Sequence, residues 1–350
     1  MLAVFQVAAY LFSEGAEVDE ASRLAPMESN LNTYQNLSSL DFDELLFFVS
    51  WDPEAGAAKT FDVFTKPRLD LAKRNGMSAM ISFEPSRKKP SGQQVNYSLD
   101  SIISGEHDQY LSEYFEKLAA YTAENPEVQI SIRTMHAMNA PIDAYHWSNS
   151  NPGKYKKAYA HIYEIGSLCK TLKWSFVFNN FSADSNWRNK RADSYLKWMP
   201  GSIEFESIGV AGFSRPYLKS KDGPTGGEVT PGDVLPEQFF QKIRERLPHA
   251  KLVVSETGVP YMKNTSELIE YTDHYYMKDQ ERAYWYQDLF RHLSEMDSKY
   301  NLNAVTISFG GNDHARSIDD TRDILTVVEL SKTLEHFQRK GIRVGMYLGK

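Results

Sequence analysis

Apolar residues along this chain fall into short runs that end abruptly in polar side chains, and stretches of helical period separate them. The runs are "LAVFQVAAY" (2–10), "ELLFFVSWD" (44–52), "SAMISFEPSR" (78–87), "VQISIRTMHA" (128–137), "LKWSFVFNNFS" (172–182), "FESIGVAGFSR" (205–215), "KLVVSETGVP" (251–260) and "NAVTISFGGND" (303–313). Near-continuous apolar runs of this length are what strands buried on both faces of a parallel sheet require. In the gaps, "KTFDVFTKPRLDLAKRNG" (59–76) keeps an apolar stripe at three- and four-residue spacing and places Gly76 as a C-terminal stop. "DQYLSEYFEKLAAYTAENP" (108–126) opens on Asp108 as candidate N-cap and ends before Pro126, and 153–170, 236–248 and 280–300 follow the same logic. Eight strands alternating with helices predict an α/β chain, and eight is the number that closes a (β/α)8 TIM barrel. The alternative is an open doubly wound sheet, against which counts the lack of a G-x-G-x-x-G loop after an early strand. Such barrels fill this length as one domain, so residues 1–350 are read as a single (β/α)8 domain of catalytic type.

In a parallel barrel, chemistry gathers where strands meet their following loops. Here those ends are rich in polar and aromatic groups: Trp51-Asp52, Glu84, then Arg133, His136 and Asn139, then Asn179-Asn180, then Ser255-Glu256-Thr257-Gly258. Strand alternation puts Glu256 on one face with Leu252 and Val254, and position 137 on one face with Arg133, so both are expected to look into the barrel mouth. Position 137 is an alanine, which has no proton to give.

Composition narrows the partners. A net charge of −7 argues against a nucleic-acid partner, which would need a basic field, and the basic run "SRKKPSG" (86–92) reads as a solvated loop. No run approaches the roughly 20 apolar residues of a membrane span. The single cysteine, Cys169, reads as a buried inert thiol. The nine histidines show no His-x-x-x-His spacing, so no metal and no cofactor is expected. "MLAVFQVAAYLF" lacks the basic start and cleavage site of a signal peptide and is read as the first strand. No pattern specifies an oligomeric state.

The segment "IISGEHDQYLSEYFEKLAAYTAENPEVQISIRTMHAMNAPIDAYHW" resembles family 26 of the glycoside hydrolases, the β-mannanase family, a retaining (β/α)8 group. The family signature is Gly-x-x-Asp before a helix, then a strand ending Arg-x-x-His-Glu-Met-Asn, then a Trp/Tyr-rich loop. This chain supplies Gly105 and Asp108, then Arg133, His136, Met138 and Asn139, then Tyr145 and Trp147. The family's nucleophile lies on strand 7 in a short Glu-x-Gly context, which Glu256-Thr257-Gly258 matches. The resemblance implies a retaining endo-β-glycosidase acting on a β-linked polysaccharide or oligosaccharide: β-mannan, β-glucan, xylan or a bacterial exopolysaccharide. It also implies a secreted or periplasmic location. Glu256 would attack the anomeric carbon, and a second carboxylate roughly 5 Å away would protonate the leaving oxygen. Arg133, His136, Asn139, Tyr145, Trp147, Glu84, Trp51 and Asn180 would hold sugar or orient Glu256. Each also has a plain structural reading, the tryptophans as core and Asn139 as a cap. Where the family tends to carry a tyrosine on strand 6, this chain offers Phe213, with Tyr217 four residues on.

The family's acid/base glutamate falls at Ala137. An engineered Glu→Ala replacement would change one residue and spare its surroundings. A natural loss, leaving a non-catalytic carbohydrate-binding barrel, would be expected to erode neighbouring site residues too. A third reading gives the acid role to Glu84. The intact Arg133, His136, Asn139 and Glu256 favour the first, a protein that binds glycan and scarcely cuts it.

Overall fold

The structure, a computed structural model, describes residues 3–8, 28, 43–88, 94–140, 145–148, 150–180, 196–213, 219–220, 223–224, 230–258, 279–311, 331–332, 335, 339, 343–344 and 346–348. All eight expected strands are present: β1 (Ala3–Ala8), β2 (Glu44–Ser50), β3 (Ser78–Glu84), β4 (Ile130–Thr134), β5 (Lys173–Asn179), β6 (Ser207–Phe213), β7 (Lys251–Gly258) and β8 (Leu302–Gly311). The chain has the (β/α)8 fold. Its packing divides into two compact units, one of Leu11–Pro26, Glu44–Gly209 and Lys350, the other of Met1–Tyr10, Met27–Asp43 and Val210–Gly349.

In the first unit β2, β3 and β4 run parallel in unbroken register, Glu44↔Ser78 through Ser50↔Glu84 and Ala79↔Ile130 through Phe83↔Thr134. β4 pairs in turn with β5. Six of the seven residues of β2 are buried, as a strand covered on both sides must be. Helix α1 (Lys66–Arg74) leads into β3, α2 (Asp108–Glu124) precedes β4, and α3 (Pro152–Gly166) precedes β5. Phe83 stacks on Tyr114 of α2 with ring centroids 4.4 Å apart. The odd-numbered residues of β3 therefore face the helices, and Ser82 and Glu84 face the opposite side, the barrel interior.

The helical expectations hold with two differences. The run predicted as one helix over 59–76 is a short α-turn, Ala57–Lys59, a π-helical Thr60–Thr65 and then α1. Pro67, without an N–H, sits in the first turn of α1, where no intrahelical donor is needed, so the change of register falls at a tolerant place. Asn75 then caps the helix and Gly76 follows at φ 66°, the left-handed stop its position predicts. In α2 the N-cap is His107, with Asp108 the first helical residue, so the helix starts one position earlier than expected. Asp108 instead lies over Gly105, which has φ 84° and where an added Cβ would meet the Asp108 carboxylate at 2.9 Å. That contact is the local reason for the Gly-x-x-Asp spacing.

In the second unit β8 lies between β7 and β1 and runs parallel to both. A first strand beside the eighth is the neighbour relation that the (β/α)8 fold requires. Two short C-terminal strands add to this unit, Arg343–Val344 on β8 and Met346–Leu348 on β1. Helices α4 (Glu237–Arg246) and α5 (Asp279–Tyr300) match the predicted helical stretches. No helix among the described residues is long and apolar enough to cross a membrane.

Candidate active site at the strand ends

β4 ends at Thr134, and the chain then passes through two left-handed residues, Met135 at φ 45° and Ala137 at φ 54°, with His136 between them. Non-glycine residues adopt this conformation at a cost of order 1 kcal/mol or more each, and such strain collects at sites where the surroundings fix the backbone. Here they do. The Ala137 N–H donates to the Val177 carbonyl at 2.9 Å, and the Ala137 carbonyl accepts from Ser148 Oγ at 3.2 Å. Tyr155 donates to the Met135 carbonyl at 2.9 Å, and Trp147 Nε1 to the His136 carbonyl at 2.8 Å. Alternation stops at Thr134, so parity with Arg133 does not by itself fix the face of Ala137.

Four of the expected site residues come together on the interior side. Phe48, Ser82 and Arg133 form one row across β2, β3 and β4. Arg133 stacks over the Phe48 ring at 5.3 Å and donates from Nε to Ser82 Oγ at 3.1 Å. Ser82 Oγ lies 3.3 Å from His136 Nδ1, and Glu84 Oε1 lies 3.7 Å from the same nitrogen. His136 Nε2 meets the Tyr145 hydroxyl at 3.0 Å. Arg133 and Glu84 are fully buried, and His136 nearly so. Removing such ions from water costs several kcal/mol each, so a barrel interior that needed only packing would fill these positions with Val, Ile or Leu.

The remaining expected residues take other places. Tyr145 stacks on Trp147 at 4.6 Å and 11°, and Trp147 is fully buried beneath it, which makes Trp147 a support for the loop. Asn139 is a tie between two strand ends: its Nδ2 donates to the Asn179 carbonyl and its Oδ1 accepts the Asn179 N–H, at 2.8 and 2.7 Å. Asn180 is buried beside it at the end of β5, and Ala137 is buried too. The Phe213 and Glu256 side chains, and all of Tyr217, lie outside the described residues.

Trp51 is in the core. It is fully buried among Phe83, Tyr97 and Tyr110, on the helix side of the sheet, in keeping with the core reading of the two offered by the sequence. Trp51→Ala should therefore lower stability by about 3–5 kcal/mol in denaturant unfolding. A variant of full stability that bound glycan more weakly would return Trp51 to the cleft.

The described part of the basic run, Ser86–Lys88, also departs from expectation. Arg87 is mostly buried and bonded to Asp52 and Glu54, on a short strand Ser86–Lys88 paired with Gln94–Asn96. Burial opposes its charge, but hydrogen bonds to Glu54 and Asp52 outweigh that and raise its pKa. Nearby, burial lowers the pKa of His107 and of His146, and raises that of Tyr97. The sequence reading missed Ser82 and Phe48 as members of the polar row. Their signal was a serine inside an apolar run, two residues before Glu84.

At β7 the register with β8 slips by one residue between Val254↔Val305 and Thr257↔Ile307, so the extra residue falls at Ser255–Glu256. A bulge there interrupts alternation and re-aims the side chains next to it. The shared face of Glu256 and Val254 therefore does not follow from parity.

Fold and buried ionic row together define a (β/α)8 barrel with a polar site at its strand ends. No family model and no curated protein matches the sequence. Among solved structures, a GH26 β-mannanase from Bacteroides ovatus is similar over 97% of this chain and 89% of its own, with 11% identity and a TM-score of 0.60. A family 1 β-glucosidase from Thermotoga maritima is similar over 96% and 97%, with 11% identity and a TM-score of 0.60. Fungal β-1,4-galactanases follow over 94% and 100%, with 11% identity and a TM-score of 0.53. At these identities the likeness is one of fold.

Proposed function

We propose that this chain is a β-glycan-binding barrel built for retaining glycoside hydrolysis and silenced at Ala137. The observation that carries the reading is the buried row Arg133–Ser82–His136–Glu84–Tyr145, which leads into Ala137 through a strained turn. Ion burial on this scale needs a return in binding or chemistry, and strand ends are where a (β/α)8 barrel keeps both. The structural relatives, a β-mannanase, a β-glucosidase and β-galactanases by description, support a β-linked glycan as ligand. The strand-4 motif narrows this to the family 26 kind, with an internal cut in a mannan-like, glucan, xylan or exopolysaccharide chain.

In the proposed mechanism Glu256 attacks the anomeric carbon and displaces the leaving oxygen, forming a covalent glycosyl-enzyme. A glutamate at 137 would give its proton to that oxygen and then take one from the incoming water. With alanine there the leaving group departs unassisted, and general acid–base help worth about 10²–10⁴-fold is missing. That Arg133, His136 and Asn139 stand intact around position 137 fits a single Glu→Ala replacement better than gradual decay. Residues 1–350 act as one domain in this reading, and the likeness of the strand-4 motif to family 26 is the ground for an extracellular or periplasmic setting.

The test uses the chain unaltered. Titration with a panel of β-linked mannan, glucan, galactan and xylan oligosaccharides should show saturable binding to at least one, without cleavage. Failure to bind any member, by a folded protein at millimolar sugar, would overturn the proposal.

A further inference from the structure

We infer that Asn75-Gly76, the turn joining α1 to β3, is a self-modification site: when the cap of α1 opens, Asn75 loses ammonia and becomes aspartate or isoaspartate, neither of which caps the helix. The inference stands apart from the carbohydrate reading.

This is the one place in the sequence where glycine follows asparagine. In the reaction the Gly76 nitrogen attacks Cγ of Asn75. The new C–N bond closes a five-membered imide, the Gly76 amide proton passes to the departing nitrogen, and ammonia leaves. Water then adds to one of the two imide carbonyls and breaks its bond to nitrogen. Opening at Cγ gives aspartate, and opening at the main-chain carbonyl gives isoaspartate, with the chain now running through the former side chain. Water is the sole co-reactant. Glycine favours the attack because it has no Cβ to crowd the nitrogen and lets the backbone turn freely.

The folded chain holds the pair out of this reaction. Asn75 is the C-cap of α1 with ψ 10°, which keeps the Gly76 nitrogen beside Asn75's own nitrogen. To meet Cγ it must swing to the side of Cβ, a rotation of roughly a third of a turn. Two bonds oppose that swing. Gly76 N–H donates to the Lys73 carbonyl at 3.1 Å and Met77 N–H to the Ala72 carbonyl at 2.9 Å, the paired bonds of a Schellman cap. Met77 is buried, and Asn75 Nδ2 donates to the Leu71 carbonyl at 2.9 Å. The reaction therefore waits for the cap to open, and its rate measures that opening.

The products do not fit the closed cap. Aspartate has no donor for the Leu71 carbonyl and brings negative charge to a helix C-terminus, where the dipole opposes it. Lys73 is committed elsewhere, its Nζ lying 2.6 Å from Asn125 Oδ1 and 3.1 Å from Glu127 Oε1. Isoaspartate lengthens the main chain by one carbon just ahead of Met77 and of β3, whose register against β2 is fixed from Glu44↔Ser78 onward.

The test holds the unaltered chain at mildly alkaline pH, native and in guanidinium chloride, and maps peptides by mass and by isoaspartate-specific methylation. In denaturant Asn75 should convert before any other asparagine and give both products, and Gly76→Ala should slow it about tenfold or more. In the native chain Asn75 should convert about tenfold or more slowly than in denaturant. Asn75→Asp should lower the thermal midpoint by about 2 °C or more. Equal native and denatured rates, another asparagine converting first in denaturant, or an unchanged midpoint in Asn75→Asp overturns the inference. Should Asn75→Asp fail to fold, the two rates and the denatured Gly76→Ala chain decide.

Discussion

Ala137→Glu should raise β-glycosidase activity, with a gain of about 10²–10⁴-fold on unactivated β-glycans. The backbone at 137 is prepared for the change. Its N–H and carbonyl are tied to Val177 and Ser148, and its left-handed φ of 54° is already adopted by a residue with a Cβ. Glutamate therefore adds atoms only beyond Cβ, and the turn's strain is no greater than alanine already bears. Burial at this position, 2% exposed for Ala137, disfavours the charged carboxylate and raises its pKa towards neutrality, as an acid/base group needs. The control is Ala137→Gln, which matches the shape but cannot give up and recover a proton, and should stay inactive. Reducing-end release from a panel of β-glycans measures the gain. A folded Ala137→Glu protein that cuts none of them removes position 137 from the chemistry.

Regular segments were legible in the sequence, and irregular ones were not. The expected run "SAMISFEPSR" holds β3 at Ser78–Glu84, and "ELLFFVSWD" holds β2 at Glu44–Ser50, because buried parallel strands must be apolar throughout and the polar residues mark where they stop. Gly76 and Gly105 stand where positive φ is required, which is a local property that a residue type can announce. The site was harder because it begins where regularity ends. Alternation assigns faces only along an unbroken strand. The left-handed pair Met135 and Ala137 breaks it at β4, and the extra residue at Ser255–Glu256 breaks it at β7. Trp51 could not be placed from the sequence either. An aromatic after a strand can turn to the cleft or to the helices, and only the packing of Phe83, Tyr97 and Tyr110 decides. Ser82 was hidden for a different reason: its role comes from Arg133 and His136, about fifty residues away, and exists only once the strands pair.

Glu256 carries the other large effect. On the Ala137→Glu background, Glu256→Gln should abolish cleavage, by on the order of 10⁵–10⁶-fold, the scale on which removal of an enzyme's nucleophile is felt. The unaltered chain offers a cleaner view of the same residue. A dinitrophenyl β-glycoside has a leaving group stable as an anion, so its departure needs no proton from position 137. Glu256 should therefore still form the glycosyl-enzyme, shown as a burst of dinitrophenolate. Turnover should then stall, because nothing activates water. Azide needs no such activation, and its addition should speed turnover and yield a glycosyl azide of unchanged β-configuration, the stereochemical mark of two successive displacements. Mass mapping of the stalled protein should place the sugar on the peptide containing Ser255-Glu256-Thr257, and Glu256→Gln should lose the burst. The bulge at this point of β7 gives the label its weight, since one slipped residue decides whether Ser255 or Glu256 is presented. A label on Glu84 would reassign the nucleophile to β3, and the buried Glu84–His136 pair would then be the reacting group instead of its support.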